Sequence, residues 1–183
     1  MRCSRLKLPA PFHRLAALSV ALGGLASCGM FNTATQFPCP AVGMPRETAS
    51  LTRFREGPGR DLTDVIYEAG IADVKMACTY TSKGVDIDLG VVLAAERGPA
   101  NTSRTATVPY YIAIVDPQRN ILAKEVFTTT LTFQANVSRA SGIDETQETI
   151  PLPKGKSAER YGVVLGMQLT PEEVEYNRNK ALR

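Results

Sequence analysis

Histidine occurs once in the 183 residues, at His13, and tryptophan does not occur at all. Without tryptophan, the Cys-Trp-Cys signature of true immunoglobulin domains cannot be present. The single histidine falls in an N-terminal stretch that reads as an export signal. Its removal excludes Ser-His-Asp and Cys-His catalysis and any histidine-containing metal site. There is no Gly-x-Ser-x-Gly elbow, no Ser-x-x-Lys pair and no Gly-Lys-Ser/Thr phosphate loop, so a conventional hydrolase or nucleotide site has no support. A long hydrophobic run is missing too. The apolar stretch from Leu15 to Ala26 is shorter than the roughly 20 residues of a bilayer-spanning helix, and Asn32, Thr33, Thr35 and Gln36 follow soon after.

What the first thirty residues do contain is a targeting device. Arg2, Arg5, Lys7 and Arg14 precede and enter the apolar core with no acidic residue among them, the usual order of a signal peptide. Leu25-Ala26-Ser27-Cys28 then resembles the lipobox of bacterial lipoproteins: an aliphatic residue, two small residues and a cysteine. That resemblance implies a diacylglyceryl group on the Cys28 thiol, cleavage just before it and a further acyl chain on the new amino terminus. A thiol suits this role as a good nucleophile near neutral pH. Each buried CH₂ contributes about 0.8 kcal/mol, so two or three chains anchor stably where one is marginal. The alternative is an ordinary secretory signal cut near Ala26, with Cys28 a spare thiol. Gly29 stands where, in the enterobacterial sorting pattern, an aspartate favours the inner membrane, so the resemblance points to the outer membrane.

Processing changes the charge. The signal carries four of the 21 Lys and Arg and none of the acidic residues, leaving 17 basic against 18 acidic residues. The net excess of +3 thus becomes −1, which gives no field suited to nucleic acid or to an anionic membrane by overall charge. The remaining residues, 28–183, are enough for one domain with a real core.

Of the four cysteines, Cys3 leaves with the signal and Cys28 is acylated. Cys39 and Cys78 remain in an oxidising compartment. No Cys-x-x-Cys pair is present, so a structural disulfide is expected rather than a redox couple. Residues 29–48 hold Pro38, Pro40 and Pro45 among polar residues without apolar period, as a tether does. Stapling at Cys39 shortens its free part to about ten residues. Such a segment reaches only about 17 Å, so the domain should sit close to its membrane.

Beyond the tether the apolar period is two. Val85, Ile87, Leu89, Val91, Leu93 and Ala95 alternate with more polar neighbours. Ala72, Val74, Met76, Cys78 and Tyr80 do the same before the Ser82-Lys83-Gly84 turn, predicting a hairpin with Cys78 facing inward and its disulfide against the core. Val108–Val115 is nearly all apolar, as a central strand covered on both faces would be. After the Asp116–Asn120 turn, Ile121, Ala123, Phe127, Leu131 and Phe133 fall on one face. Thr146–Leu152, Tyr161–Leu169 and Ala49–Arg55 complete about seven strands. An all-β, antiparallel immunoglobulin-like sandwich follows. Thr170-Pro171-Glu172-Glu173 carries a cap, a first-turn proline and a capping-box glutamate, predicting a short terminal helix to about Ala181. The organisation is a signal over 1–27, a lipidated cysteine and tether over 28–48, and a sandwich over 49–183.

Two clusters invite a functional reading. Asp86 and Asp88 share an outward face, with Asp73 expected near them across the hairpin, but no calcium-type loop surrounds them and a solvated strand face explains them. Gly57-Pro58-Gly59-Arg60-Asp61, flanked by Arg53 and Arg55, can be read either as an anion-binding turn using Arg53, Arg55 and Arg60 or as a plain strand connection. No catalytic residue, metal or cofactor is expected.

The segments LTRFREGPGRDLTD, VPYYIAIVD and LTPEEVEYN resemble envelope lipoproteins of alphaproteobacteria over most of the mature chain. The resemblance implies a lipoprotein and supplies no reaction. The expectation is therefore a non-enzymatic, lipid-anchored domain on the periplasmic face of the outer membrane. It would bind or scaffold another envelope protein, such as part of an outer-membrane assembly machine. The rival is a carrier or sensor of a small ligand, lipid or glycan. The partners expected are the membrane, through the lipid, and an envelope protein, not nucleic acid. Replacing Cys28 with Ala should leave an unprocessed or soluble precursor. A Cys28→Ala protein that matures and enters the detergent phase like the wild type would refute the lipobox reading.

Overall fold

The computed structural model describes residues 37–181, so the signal, Cys28 and the first part of the tether lie outside the described residues. Eight strands build two four-stranded sheets packed face to face, an all-β sandwich with one short helix at its end. In one sheet β1 (Ala41–Gly43), β8 (Gly162–Met167), β5 (Thr105–Val115) and β6 (Ile121–Thr132) lie side by side in that order. The other runs β2 (Ser50–Phe54), β3 (Val65–Tyr80), β4 (Gly84–Arg97) and β7 (Arg139–Pro151). All pairs are antiparallel except β1 with β8.

The core is made by the alternation that the sequence displays. On β4, Val85, Ile87, Leu89, Val91, Leu93 and Ala95 are all buried. They face Val108, Tyr110, Ile112 and Ile114 of β5 and Val163, Leu165 and Met167 of β8, in one continuous cluster. Each side chain of this size contributes about 1.5–3 kcal/mol on burial, so strand period alone commits these residues to the interior.

β3 is longer than predicted, because its apolar phase changes partway. Val65, Tyr67, Ala69 and Ile71 are buried, whereas beyond Ala72 it is Val74, Met76, Cys78 and Tyr80 that pack on the core. Ile71 pairs with Leu93 and Asp73 with Val92, leaving Ala72 as the extra residue of a β-bulge. Ala72, expected inward, is exposed. The hairpin register puts Asp73 opposite Val92, away from Asp86 and Asp88, which pair with Thr79 and Ala77. A second irregularity separates Val115, opposite Ile121, from Ile114, opposite Ala123. It turns Ile121 to the outer face with Val115, off the face it was expected to share with Ala123 and Phe127.

β5 is central, as expected, although it contains Pro109. The Pro109 carbonyl accepts from the Gln168 N–H at 3.0 Å, so the ring nitrogen points the same way, past the last β5–β8 pair at Tyr110. The missing donor therefore falls only at the end of the β5–β8 ladder. β7 starts seven residues earlier than the sequence suggests, since its first inward residues, Ala140, Gly142 and Asp144, are small or charged and give no apolar period.

The helix α1 (Pro171–Ala181) has the expected capping box: Thr170 Oγ1 accepts from Glu173 N–H at 3.3 Å and Glu173 Oε2 from Thr170 N–H at 2.8 Å. The buried Asn177 amide donates to the carbonyls of Glu47 and Ser50, at 2.9 and 2.8 Å, holding α1 against β2 and the 3-10 turn Arg46–Thr48.

Residues 37–48, read as tether, are already part of the domain. β1 pairs with β8, the Phe37 ring lies 5.3 Å from that of Tyr80, and the Tyr80 hydroxyl donates to the Pro38 carbonyl at 2.7 Å. Cys39 and Cys78 are joined by a disulfide across a separation of 39 residues. Cys78 is half-buried against the core and Cys39 is exposed, so the bond sits at the rim rather than within. Closing a loop of that length should contribute about 4 kcal/mol. The double variant Cys39→Ser with Cys78→Ala should lose most of that in urea unfolding, with an m-value that rises as the freed unfolded chain exposes more surface; a loss below about 1 kcal/mol would show that the Phe37–Pro40 contacts suffice alone.

Candidate functional site

The arginine turn is built as a closed connection. Asp61 caps the 3-10 turn Leu62–Asp64, and Asp64 is buried behind Gly59, where any side chain would collide with its carboxylate. Arg55 Nε lies 2.5 Å from Asp64 Oδ1 without hydrogen-bond alignment, an ion pair rather than a directed bond. Arg53 pairs with Glu173 at 2.6 Å. Arg60 donates to the carbonyls of Gly57 and Gly59, at 2.8 and 2.7 Å, and covers the Phe54 ring. A cleft of about 280 Å³ does join the three arginines, but Glu56, Glu172 and Glu173 line it as well. Each guanidinium thus has an internal partner, by ion pair or hydrogen bond, as in a strand connection. Asp86 and Asp88 are likewise engaged, accepting from Thr149 Oγ1 at 2.9 Å and Gln147 Nε2 at 2.7 Å across the β4–β7 pair.

The more distinctive surface is the outer face of the β1–β8–β5–β6 sheet. Odd-numbered residues of β5 point outward there, and in its second half they are Tyr111, Ala113 and Val115. The Arg46–Thr48 turn and α1 cover only part of this face. Thr48 and Tyr111 hydroxyls meet at 3.2 Å over Gly166, where a Cβ would strike both side chains. What is left open is a groove of about 370 Å³ between α1 and β6, with Ile121, Val164, Leu169 and Val174 among its walls. Its main cation, Lys124, lies flat on Tyr111 with Nζ 4.4 Å from the ring centre. Ile121, Leu122 and Val126 carry the apolar surface onto the β5–β6 hairpin, each more than half exposed. The sequence displayed every one of these residues, but assigned β5 two covered faces.

β6 is also a free sheet edge. Its neighbour across the sandwich is β7, the edge of the other sheet, and the two meet through side chains: Asp144 accepts from the hydroxyls of Thr129 at 2.6 Å and Tyr110 at 2.9 Å. Burial, and then the Asp144 carboxylate, push the Tyr110 phenol well above its ordinary range, so it stays a donor. Further along the seam Glu148 points inward with one carboxylate oxygen lacking a partner. Burial and then the nearby Glu125 raise its pKa. Among the described residues no group of three or more His, Cys, Asp or Glu side chains is placed to hold a metal, and no helix is long and apolar enough to cross a membrane.

No family model matches the chain, and no curated protein or solved structure matches it. The geometry therefore has to carry the functional argument.

Glu148 gives a direct test of the seam. Its folded pKa lies above the unfolded value, so the native state binds the proton more tightly and loses stability as pH rises through that interval. Glu148→Gln should raise the thermal midpoint at neutral pH, with the advantage vanishing at pH values below the ordinary glutamate range. An advantage that persists there would mean the side chain acts by packing, not by charge.

Proposed function

We propose that the protein is a non-catalytic, lipid-anchored scaffolding domain of the cell envelope, held on the periplasmic face of the outer membrane. Its task in this reading is to hold an extended segment of another envelope protein along β6. The supporting observation is how differently the four sheet edges are treated. A free edge offers unpaired N–H and C=O groups to any passing strand, and proteins blunt such edges with charge, shortness or cover. β1 is only three residues long, and β2 is covered by α1 through the Arg53–Glu173 pair and Asn177. β7 carries Arg139, Asp144, Glu145 and Glu148, two of them pointing inward. β6 is charged only at Lys124 and Glu125, and Val126–Thr132 reads VFTTTLT, seven uncharged residues of high β propensity. An edge left in this state favours strand addition, in which backbone bonds give affinity and alternate side chains give selectivity. The outward row Val126, Thr128, Thr130 and Thr132 would select small or β-branched partners across the pair.

A second reading rests on the groove above Tyr111. Its size and largely apolar walls suit part of a small apolar ligand, so a carrier or sensor of a lipid is the alternative. Lipid co-purifying in fixed ratio, with no protein partner, would favour it.

Photo-crosslinking in intact cells separates the two. A crosslinker at Thr128 or Thr130 should capture one discrete envelope protein, while the same group at Glu145 of β7 should not. Thr128→Lys with Thr130→Lys places edge charge on exposed positions, and should cut capture about tenfold with the thermal midpoint unchanged. Equal capture at both edges, or capture indifferent to the lysines, would refute strand addition at β6.

A further inference from the structure

At one end of the sandwich the structure gathers four features that lie far apart in the sequence. Tyr80 ties three of them. Its hydroxyl donates to the Pro38 carbonyl and accepts from the Ala158 N–H at 2.9 Å, and the Lys83 carbonyl just beyond accepts from Leu152 N–H at 3.2 Å. The point where the chain enters the domain thus adjoins the β3–β4 turn at 81–83 and the loop at 152–161. Gly162 brings in the fourth, since it pairs with both Ala41 of β1 and Val115 of β5, so the β5–β6 tip at 116–120 stands at the same end.

The chemistry of that end is uneven in sign. Its loops carry Lys83, Arg119, Lys154, Lys156 and Arg160, all exposed. Against them stand Asp116 and Glu159, and the Asp116 carboxylate is spent inside its own turn, accepting from Gln118 N–H, Asn120 N–H and Asn120 Nδ2 at 2.8–2.9 Å. Among the described residues the ion pairs all involve other basic groups: Arg53, Arg55, Arg139, Arg178 and Lys180. Beside these cations stand the first residues of β6, with Ile121 64% and Leu122 54% exposed. Overall charge is slightly negative after processing, so this cationic end is a local property that composition conceals.

We propose that this end is a membrane-docking face: the basic loops lie on the anionic headgroups of the bilayer that holds the protein's own lipid, and Ile121 and Leu122 enter its interfacial layer. The occupant is argued from position and charge together. In the lipid-anchor reading Cys28 precedes Phe37 by nine residues, a span of at most about 32 Å even fully extended, and the chain enters the domain at this end. Exposed cations attract anionic lipid within a Debye length, and two aliphatic side chains beside them then lose contact with water. The leash supplies the proximity that so small a patch needs. Docking would also fix orientation, holding β6 upright and its free edge sideways to the membrane. The inference rests on the lipid-anchor reading and adds a face to it.

The absence of tryptophan makes the test direct. The full lipidated chain carrying Ile121→Trp, or Leu122→Trp as a second variant, is reconstituted into vesicles of phosphatidylethanolamine and phosphatidylglycerol in equal parts. Val137→Trp, exposed between β6 and β7 at the other end, serves as reference. Brominated acyl chains should quench the two hairpin variants several-fold more than the reference, with a blue shift in emission that disappears in vesicles of phosphatidylcholine alone. Replacing Lys154, Lys156 and Arg160 together by Glu should remove the difference. Protein that floats with the vesicles while all three variants quench alike overturns the docking face and leaves the anchor standing. Protein that does not float at all overturns the anchor and the face with it. A quenching difference that survives the charge reversal overturns the electrostatic basis.

Discussion

The bulge at Ala72 is the constraint on which the rest of the fold depends. A strand as long as β3 has to serve two parts of the core, and its apolar residues are odd-numbered up to Ile71 and even-numbered from Val74. In a regular strand one half or the other would point into water, because side chains alternate with strict period two. One extra residue reconciles them. β4 runs straight opposite with a single phase, so the whole correction is made within β3. Tyr67 can then reach the Thr107 carbonyl on the opposite sheet, while Cys78 faces Cys39 and Tyr80 receives Pro38 and Ala158. The pinning of the chain's entry follows from the position of one alanine.

The sandwich is closed on one side and open on the other. On the β1–β2 side, α1 and the Arg46–Thr48 turn cross between the sheets, fastened by Asn177 and by a glutamate that both caps the helix and binds Arg53. On the β6–β7 side only the 133–138 connection crosses among the described residues, and inward residues there become polar: Thr129, Asp144, Thr146 and Glu148. That thin closure leaves these inward positions half-buried. It also leaves β6 without cover. The candidate surface is a consequence of asymmetric closure, and no special residue had to be placed to create it.

Function in this reading divides along the long axis of the domain. The end that holds Phe37, the basic loops and Ile121 would face the membrane, while the β6 edge would face a partner. A short leash and a cationic end would act together, since the first limits distance and the second limits rotation. A scaffold gains from both, because a strand edge binds only when presented in a usable direction. The arginines of the 53–60 turn are matched internally by Glu173, Asp64 and backbone carbonyls.

The sequence by itself determined the sandwich, most of its strands, the capped helix and the pairing of Cys39 with Cys78. Each rests on a local or countable property: alternation of apolar residues, a Thr-Pro-Glu-Glu start, two cysteines left over. It also displayed a pattern that resembles an export signal and lipobox. Tertiary structure decided what depends on register and on which edge remains unpaired. A reading by alternation assigns each residue one face from its neighbours, so it misplaced Ala72 and Ile121, where a bulge changes the phase without changing composition. It also missed the early half of β7, whose inward side chains are Ala140, Gly142 and Asp144. Neither the exposure of β6 nor the gathering of Lys83, Arg119, Lys154, Lys156 and Arg160 could be read along the chain, because strand order and loop clustering are set by pairings between residues as distant as Ala41 and Gly162.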